Sequence, residues 1–202
     1  FPPNRSLEIL YYNATWLKEL GYDGPPKTWD EFAQMCRKAH AQPFSKSAKK
    51  ERSLGYILDV DASRTASMVF SRGGDFMNGD ATAYTFNTPQ LKENLTMLYA
   101  LVQDGSVEIL GEKYADTGEF SIGQMLFKID SSSGLPFVKT GVESGTPFEW
   151  SIAPLPHIGD KPIVNVYGAS IAVCQTAPQR QLAAWLFLRW FTQPTQPAQW
   201  VR

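Results

Sequence analysis

Cysteine and histidine are scarce in this sequence, with two of each among 202 residues. Cys36 lies in a helical pattern and Cys174 in an apolar, strand-like run, so they indicate neither a disulfide framework nor a zinc site, and both are expected to be buried. His40 and His157 have no serine or carboxylate partner in a recognisable motif and are expected at the surface. The sequence therefore predicts no metal site and no cofactor.

Neither sign of charge is in excess, and long apolar runs are missing. The chain has 19 Lys and Arg against 20 Asp and Glu, for a net charge of -1. The one dense basic run, residues 46–52, is interpreted as a solvated loop, so nucleic acid is not an expected partner. No apolar run approaches the roughly 18–20 residues of a membrane span, and residues 1–10 lack the pattern of a cleaved signal peptide.

Complete catalytic and nucleotide-binding motifs are also missing. The nucleophile elbow G-x-S-x-G does not occur, and residues 141–144, GVES, have the wrong spacing for it. Two elements of penicillin-binding enzymes are present, S-x-x-K at residues 47–50 and K-T-G at residues 139–141, but S-D-N is absent. Neither the phosphate-binding loop nor the dinucleotide motif occurs. No motif therefore indicates an enzyme class.

What the sequence does contain is an alternation of strand-like and helix-like segments. Thr28 and Glu31 have capping-box spacing, and Thr88 followed by Pro89 is typical of a helix start. Strands are expected at residues 7–13, 53–60, 124–129, 150–153 and 164–173, and helices at 14–20, 29–40, 62–72, 89–105, 115–122 and 179–191. This alternation predicts an α/β fold with a sheet covered on both faces and a site at the carboxyl ends of strands.

The segment IDSSSGLPF, residues 129–137, places three serines and a glycine between a predicted strand and a helix expected from Leu135. One of Ser131, Ser132 and Ser133 is expected to cap that helix. The free N–H groups of a helix start, together with spare hydroxyls, can also bind an anion or a sugar hydroxyl, and a serine can act as a nucleophile. The residues by themselves leave these alternatives open.

Several segments resemble, in the same order, the extracytoplasmic solute-binding proteins of ABC importers, in the group that includes maltose-binding and glycerol-3-phosphate-binding proteins. They are LYYNATWLKELGYDGPPKTWDEF at 10–32, RGGDF at 72–76, FNTPQLKENLTMLYALVQDG at 86–105, FSIGQMLFKIDSSSG at 120–134, APLP at 153–156, YGAS at 167–170 and AAWLFLRWFTQPTQPAQW at 183–200. The resemblance implies a type II periplasmic-binding-protein fold. Chains of this family are much longer, so it also implies a fragment, with the second lobe over residues 6–165 and, over 166–202, a hinge strand and helices that normally belong to the first lobe.

The function implied by the resemblance is capture of a small polar solute, which is a sugar, a polyol, or a sugar or glycerol phosphate. The protein would deliver this solute to an ABC permease in the membrane and catalyse no reaction. Its implied location is extracytoplasmic, either in the periplasm or as a membrane-anchored lipoprotein on the cell surface. The implied mechanism is closure of two lobes, which the ligand favours by binding the closed form better.

The segments PNRSLEILYYN and IDSSSG are most similar to the glycerol-3-phosphate branch of the family, whose corresponding segments carry ligand-contacting serines. Carried over, this similarity implies a ligand site formed by Ser6, by one or more of Ser131, Ser132 and Ser133, and by Tyr167, Gly168 and Ser170. Tyr167 stands where that branch often has glycine. Residues 59–66 lack the tryptophans that usually stack on the ligand, so Arg64 is expected to pair with an anionic group instead.

Two alternatives belong to other functional classes: a small α/β serine hydrolase that uses one of Ser131–Ser133, and a ligand-sensing module of the same fold that does not transport.

The end of the chain carries a separate expectation. Residues 170–174, SIAVC, are expected to form a strand buried on both faces, and the following helix has a wide apolar face. In the parent fold both pack on the first lobe, so self-association through residues 170–202 is expected where nothing else covers them.

Overall fold

The computed structural model describes residues 4–59, 61–111 and 115–200. The chain divides into two compact units. The larger unit is Leu7–Asn165, and the smaller unit is made by the described parts of Phe1–Ser6 and Val166–Arg202. In the described residues no helix combines the length and the apolar character that crossing a membrane requires.

A mixed sheet organises the larger unit. Its strands are β1 (Ser6–Asn13), β2 (Leu54–Asp59), β3 (Val107–Leu110), β4 (Met125–Ser131) and β5 (Trp150–Ala153), in the spatial order β3-β2-β4-β1-β5. Strand β2 runs parallel to β3 and β4, whereas β1 runs antiparallel to β4 and β5. As a result, the carboxyl ends of β2 and β4 share one edge of the sheet with the amino end of β1, where Glu8 is paired with Ser131.

The helices of the larger unit are α1 (Ala14–Glu19), α2 (Trp29–Ala41), α3 (Ala62–Ser71), α4 (Pro89–Gln103), α5 (Ala115–Ser121) and α6 (Leu135–Ser144). The capping box predicted for α2 is confirmed, because Thr28 accepts from the N–H of Glu31 and the Glu31 carboxylate accepts from the N–H of Thr28. Thr88 caps α4 by accepting from the N–H of Leu91, and Pro89 lies in the first turn of that helix. A single helical turn, Ser132–Gly134, connects β4 to α6.

Aromatic side chains join α2 to the centre of the sheet. The ring of Phe32 stacks on that of Phe127 with 5.1 Å between centroids, and it meets Tyr56 edge-on at 5.7 Å. A Cβ at Gly55 would lie 2.2 Å from the Cα of Cys36, so only glycine lets β2 approach α2 this closely. Cys36 is buried at this contact, as predicted.

The smaller unit contains β6 (Val166–Tyr167), α7 (Pro178–Phe191) and α8 (Thr195–Trp200). Helix α7 confirms the helix predicted there, but the strand predicted over residues 164–173 is wrong apart from β6. Residues 168–175 form no strand, and four of the five residues of the apolar run 170–174 are exposed. A strand forms only beside a neighbouring strand that shares its backbone hydrogen bonds, and an apolar sequence alone does not supply that neighbour. Cys174 is therefore exposed, contrary to prediction.

Candidate functional site

The edge of the sheet where β2 and β4 end collects most of the buried charge of the larger unit. Asp59 is the last residue of β2, Asp130 is the penultimate residue of β4, and Glu8 lies near the start of β1. Because β1 runs antiparallel to β4, all three carboxyl groups come to the same edge. The serines that follow Asp130 share this location, as predicted from the strand–turn–helix pattern.

Five charged side chains at this edge form an ion cluster: Asp59, Arg64, Asp116, Lys128 and Asp130. The guanidinium of Arg64, from α3, lies 3.2 Å from Asp59, 3.1 Å from Asp116 and 3.6 Å from Asp130. The ammonium of Lys128, from β4, lies 2.5 Å from Asp116 and 2.8 Å from Asp130. Four of the five side chains are almost completely buried, and Asp130 is the one that reaches toward solvent.

Glu8, a residue of β1, lies close to the charges of the ion cluster. Its side chain is buried, and its Oε2 accepts a hydrogen bond of 3.3 Å from the hydroxyl of Ser67. Burial raises the pKa of the Glu8 carboxyl from 4.5 to about 7, although the nearby charge of Arg64 acts in the opposite direction. The Glu8 carboxyl is therefore partly protonated near neutral pH.

Residues 131–134 form a serine turn whose polar groups are largely satisfied within the protein. The hydroxyls of Ser131 and Ser133 are 2.9 Å apart, and the hydroxyl of Ser132 accepts a 3.0 Å hydrogen bond from the N–H of Leu7. The phenol of Tyr11 donates to the carbonyl of Ser131 at 2.7 Å. The prediction that a serine caps the helix at Leu135 is wrong, because α6 follows Gly134 without a side-chain cap. Ser131 instead caps the short turn Ser132–Gly134, where its Oγ accepts from the N–H of Ser133 at 3.3 Å.

A cavity of about 540 Å³ opens beside the serine turn, a volume typical of small-molecule sites. It is lined by Thr117, Asp130, Ser131, Ser133, Gly134 and Phe137. The ring of Phe137 is 72% exposed and therefore available to a ligand. The cavity thus presents hydroxyls, one carboxylate and one aromatic face, and it places two of the three predicted serines at a concave surface.

A wider groove of about 800 Å³ lies at the opposite edge of the sheet, beside α1. Its charged side chains include Lys18 and Glu149, which pair with each other at 3.1 Å and are mostly exposed. Ligand sites in α/β sheets lie outside the carboxyl ends of parallel strands. The cavity beside the serine turn, where β2 and β4 end, is therefore the better candidate.

The other residues predicted for the site are not among the described residues that line this cavity. Arg64 is buried in the ion cluster, where its guanidinium faces three carboxylates. Ser6 and the segment 167–170 belong to the smaller unit. Within that unit, Arg5 donates to the carbonyl of Gly168 at 2.7 Å and to the hydroxyl of Ser170 at 3.4 Å.

Gly168 has a structural reason to be glycine. Its φ is 141°, and a Cβ at this position would lie 2.4 Å from the carbonyl oxygen of Asn4. Tyr167, next to it, is half-buried in β6. Contact of these residues, or of Arg64, with a ligand stays a prediction.

Sequence reasoning missed the residues that give the cavity its charge and its aromatic face, Asp130 and Phe137. It also missed Lys128, the cation behind them. A signal was present, because a lysine in the apolar run QMLFKI, two residues before an aspartate, places both side chains on the same face of a buried strand. Buried charges require partners, so this pattern predicts an ion pair at the end of β4. No group of His, Cys, Asp and Glu suited to holding a metal ion occurs in the described ranges.

Comparison with known families decides the class of this protein. Residues 1–202 match the model of the family described as bacterial extracellular solute-binding protein. The chain belongs to this family. Its family is thus one of binding proteins rather than enzymes, and the family's extracellular description agrees with the predicted extracytoplasmic location.

Among curated relatives of this solute-binding protein is the sn-glycerol-3-phosphate-binding periplasmic protein UgpB of Escherichia coli K12. The two are 25% identical over 206 residues, which cover 98% of this chain and 46% of the relative. The chain thus spans about half the length of the curated relatives it matches.

Solved structures confirm the predicted type II periplasmic-binding fold. The cyclic alpha-maltosyl-1,6-maltose binding protein of Arthrobacter globiformis is 28% identical with a TM-score of 0.74, covering 96% of this chain and 48% of that one. UgpB of Mycobacterium tuberculosis, solved with glycerophosphocholine, is 18% identical with a TM-score of 0.66, covering 95% and 47%. At that lower identity, the second likeness concerns the fold alone.

Proposed function

We propose that this protein captures a small polar solute outside the cytoplasm and delivers it to an ABC permease. The solute is a sugar, a polyol, or a sugar or glycerol phosphate. The observation that carries the proposal is the cavity at the carboxyl edge of β2 and β4, where Ser131, Ser133 and Asp130 present hydrogen-bonding groups to a ligand. The names of the relatives, which bind maltose derivatives and glycerol phosphate, support the same class of solute.

In this proposal the serines bind the solute and do no chemistry. A serine hydrolase needs a general base beside its nucleophile. The ring of His40 is bonded to the carbonyl of Ser53 at 2.8 Å, and that of His157 to the carbonyl of Leu155 at 2.9 Å. In the described residues neither ring is hydrogen-bonded to the serine turn, so the hydrolase alternative gains no support.

The arrangement proposed for the whole protein is that of a two-lobed receptor. Residues 6–165 form its second lobe, and residues 166–202 supply the hinge strand and helices of the first. The ligand stabilises the closed arrangement because it makes more contacts there. A lipid anchor on the cell surface and docking to a specific permease belong to the same proposal.

Titration calorimetry tests this function. The protein, at its natural full length, is titrated with neutral oligosaccharides, sugars, polyols and their phosphate esters. At least one compound is expected to bind with micromolar affinity or better, and the Ser133→Ala variant is expected to bind it more weakly. Absence of binding by every compound, with a protein shown to be folded by circular dichroism, would contradict the proposal.

A further inference from the structure

The charge of the cavity beside the serine turn distinguishes between the classes of solute in the proposed function. Among its lining residues in the described chain, Asp130 is the only charged one. Its carboxylate faces an anionic ligand with like charge, which opposes binding, whereas it can accept hydrogen bonds from hydroxyl groups. The described lining residues thus include one negatively charged hydrogen-bond acceptor, the carboxylate of Asp130, and no cation.

The cations behind the cavity are not available to compensate. The ammonium of Lys128 is completely buried and lies between Asp116 and Asp130. Arg64 is also buried, and its guanidinium faces the same two carboxylates and Asp59. Two cations therefore face three carboxylates, so the ion cluster has an excess of negative charge even when Glu8 is neutral.

Several backbone groups of the serine turn and of the start of α6 are not free to bind a phosphate. Phosphate cradles use free N–H groups at the start of a helix. Here the N–H of Ser131 donates to the side chain of Asp130 at 2.8 Å, and the N–H of Ser133 donates to Ser131 Oγ at 3.3 Å. The N–H of Leu135 donates to the carbonyl of Ser132, and Pro136 has no N–H to offer.

The remaining groups suit an uncharged ligand rich in hydroxyls. The two carboxylate oxygens of Asp130 accept from donors, and the hydroxyls of Ser131 and Ser133 both donate and accept. The exposed ring of Phe137 offers an apolar face to the C–H side of a sugar or polyol. A single ring does not form the aromatic cage that quaternary ammonium groups prefer.

We propose that the solute is an uncharged sugar or polyol, and that Asp130 is the specificity-determining residue that accepts its hydroxyls and disfavours phosphate esters. This inference rests on the proposed function. It distinguishes this protein from a receptor for glycerol phosphate, although the match to the glycerol-3-phosphate-binding relative covers 98% of this chain.

The test compares matched pairs of compounds that differ by one phosphate: glycerol with sn-glycerol-3-phosphate, glucose with glucose-1-phosphate, and maltose with maltose-1-phosphate. Choline is added as a cationic probe. The protein at its natural full length is titrated with each compound at fixed ionic strength. We expect the neutral member of the pair that binds to be favoured at least about tenfold, because the phosphate meets the carboxylate of Asp130 in an ion cluster with more carboxylates than cations.

Tighter binding of a phosphate ester would overturn the inference and leave the proposed function standing, whereas tighter binding of choline would contradict both. Absence of binding by all compounds would overturn both. The variants Asp130→Asn and Asp116→Asn sharpen the test, since each removes one negative charge from the ion cluster but only Asp130 lines the cavity. Asp130→Asn is expected to weaken binding of the neutral ligand. It is also expected to reduce the preference for the neutral ligand over its phosphate ester to less than about threefold.

Asp116→Asn serves as the matched control. It is expected to lower stability yet to keep the preference for the neutral ligand within about twofold of the wild type, because Asp116 is buried and is not among the residues that line the cavity. Equal changes of the preference in both variants would refute a direct role of Asp130. If Asp130→Asn does not fold, the Phe137→Ala variant is measured instead. Its affinity for the neutral ligand is expected to fall, and an unchanged affinity would contradict the assignment of this cavity as the solute site.

Discussion

The ammonium group of Lys128 lies 2.5 Å from Oδ2 of Asp116, and both side chains are completely inaccessible to solvent. A buried ion pair contributes little net stability compared with apolar packing, because both charges have lost their hydration. Replacement of only one of the two charged side chains lowers stability much more, because the remaining charge is then buried without a partner. The pair therefore fixes the geometry of the edge that carries the serine turn.

Lys128→Met is expected to lower the free energy of unfolding by about 3–5 kcal/mol, because it leaves Asp116 and Asp130 without their ammonium partner. Urea unfolding at neutral pH measures the change. The control is Lys139→Met on α6, where Lys139 lies 4.0 Å from Glu143 and both side chains are mostly exposed. That variant is expected to change stability by less than about 0.5 kcal/mol. Similar losses in the two variants would argue against a specific role of the buried pair.

Glu8 predicts a pH dependence of stability. Burial raises the pKa of its carboxyl from the ordinary value of 4.5 to about 7 in the folded protein. The folded state therefore binds this proton more tightly than the unfolded state does, so the contribution is complete below about pH 4.5 and is lost as the pH rises through 7. The wild type is expected to lose stability across this interval, on the order of 3 kcal/mol from Glu8 alone.

Glu8→Gln keeps the size of the side chain and removes its titration. Its stability is expected to fall less than that of the wild type between pH 5 and pH 8, as followed by urea unfolding at intervals of one unit. The control Glu143→Gln, at an exposed position, is expected to follow the wild-type curve. A Glu8→Gln profile parallel to that of the wild type would show that Glu8 titrates normally.

The adjacent serines are expected to separate into structural and ligand-binding roles. Ser132→Ala removes the acceptor for the N–H of Leu7 and is expected to lower stability by about 1 kcal/mol with little loss of affinity. Ser133→Ala, at an exposed position in the cavity, is expected to weaken solute binding about three- to tenfold and leave stability within about 0.5 kcal/mol. Thermal unfolding and calorimetry measure the two effects. The opposite assignment of effects would contradict the geometry of the turn.

Local patterns explain what could be predicted from the sequence. The cap of α2 depends on Thr28 and Glu31, three residues apart, and the start of α4 depends on Thr88 and the adjacent Pro89. The passage from β4 through the serine turn to α6 is equally local. In each case the hydrogen-bond partners are close in sequence, so the residue types and their spacing determine the structure.

The failures concern partners that are distant in sequence. The apolar run 170–174 has the composition of a buried strand, but a strand also needs a paired neighbour, and this requirement is invisible in its own residues. The partners of Arg64 come from two strands and a helix, so its neighbours in sequence do not show that three carboxylates of the protein face its guanidinium. The residues around Phe137 indicate only a helix start, whereas in the structure Phe137 lines the cavity.

Helix α7 carries a broad apolar surface that is open to solvent. Its large side chains Leu182, Trp185, Leu186, Phe187 and Trp190 are each 50–57% exposed. Complete burial of such a side chain is worth about 1.5–3 kcal/mol, so a shared contact would stabilise an assembly. A polypeptide of these 202 residues is therefore expected to self-associate, with a sedimentation coefficient that rises with concentration.

The double variant Leu182→Glu and Leu186→Glu places two charges one turn apart on the apolar surface of α7 and is expected to sediment as a monomer. The control adds the same two charges away from that surface, at the exposed residues Gln34 of α2 and Gln103 of α4, and is expected to associate like the wild type. Sedimentation velocity at several concentrations measures all three proteins. A wild type that stays monomeric at the highest concentration, or a double variant that still associates, would show that α7 does not mediate contact between copies.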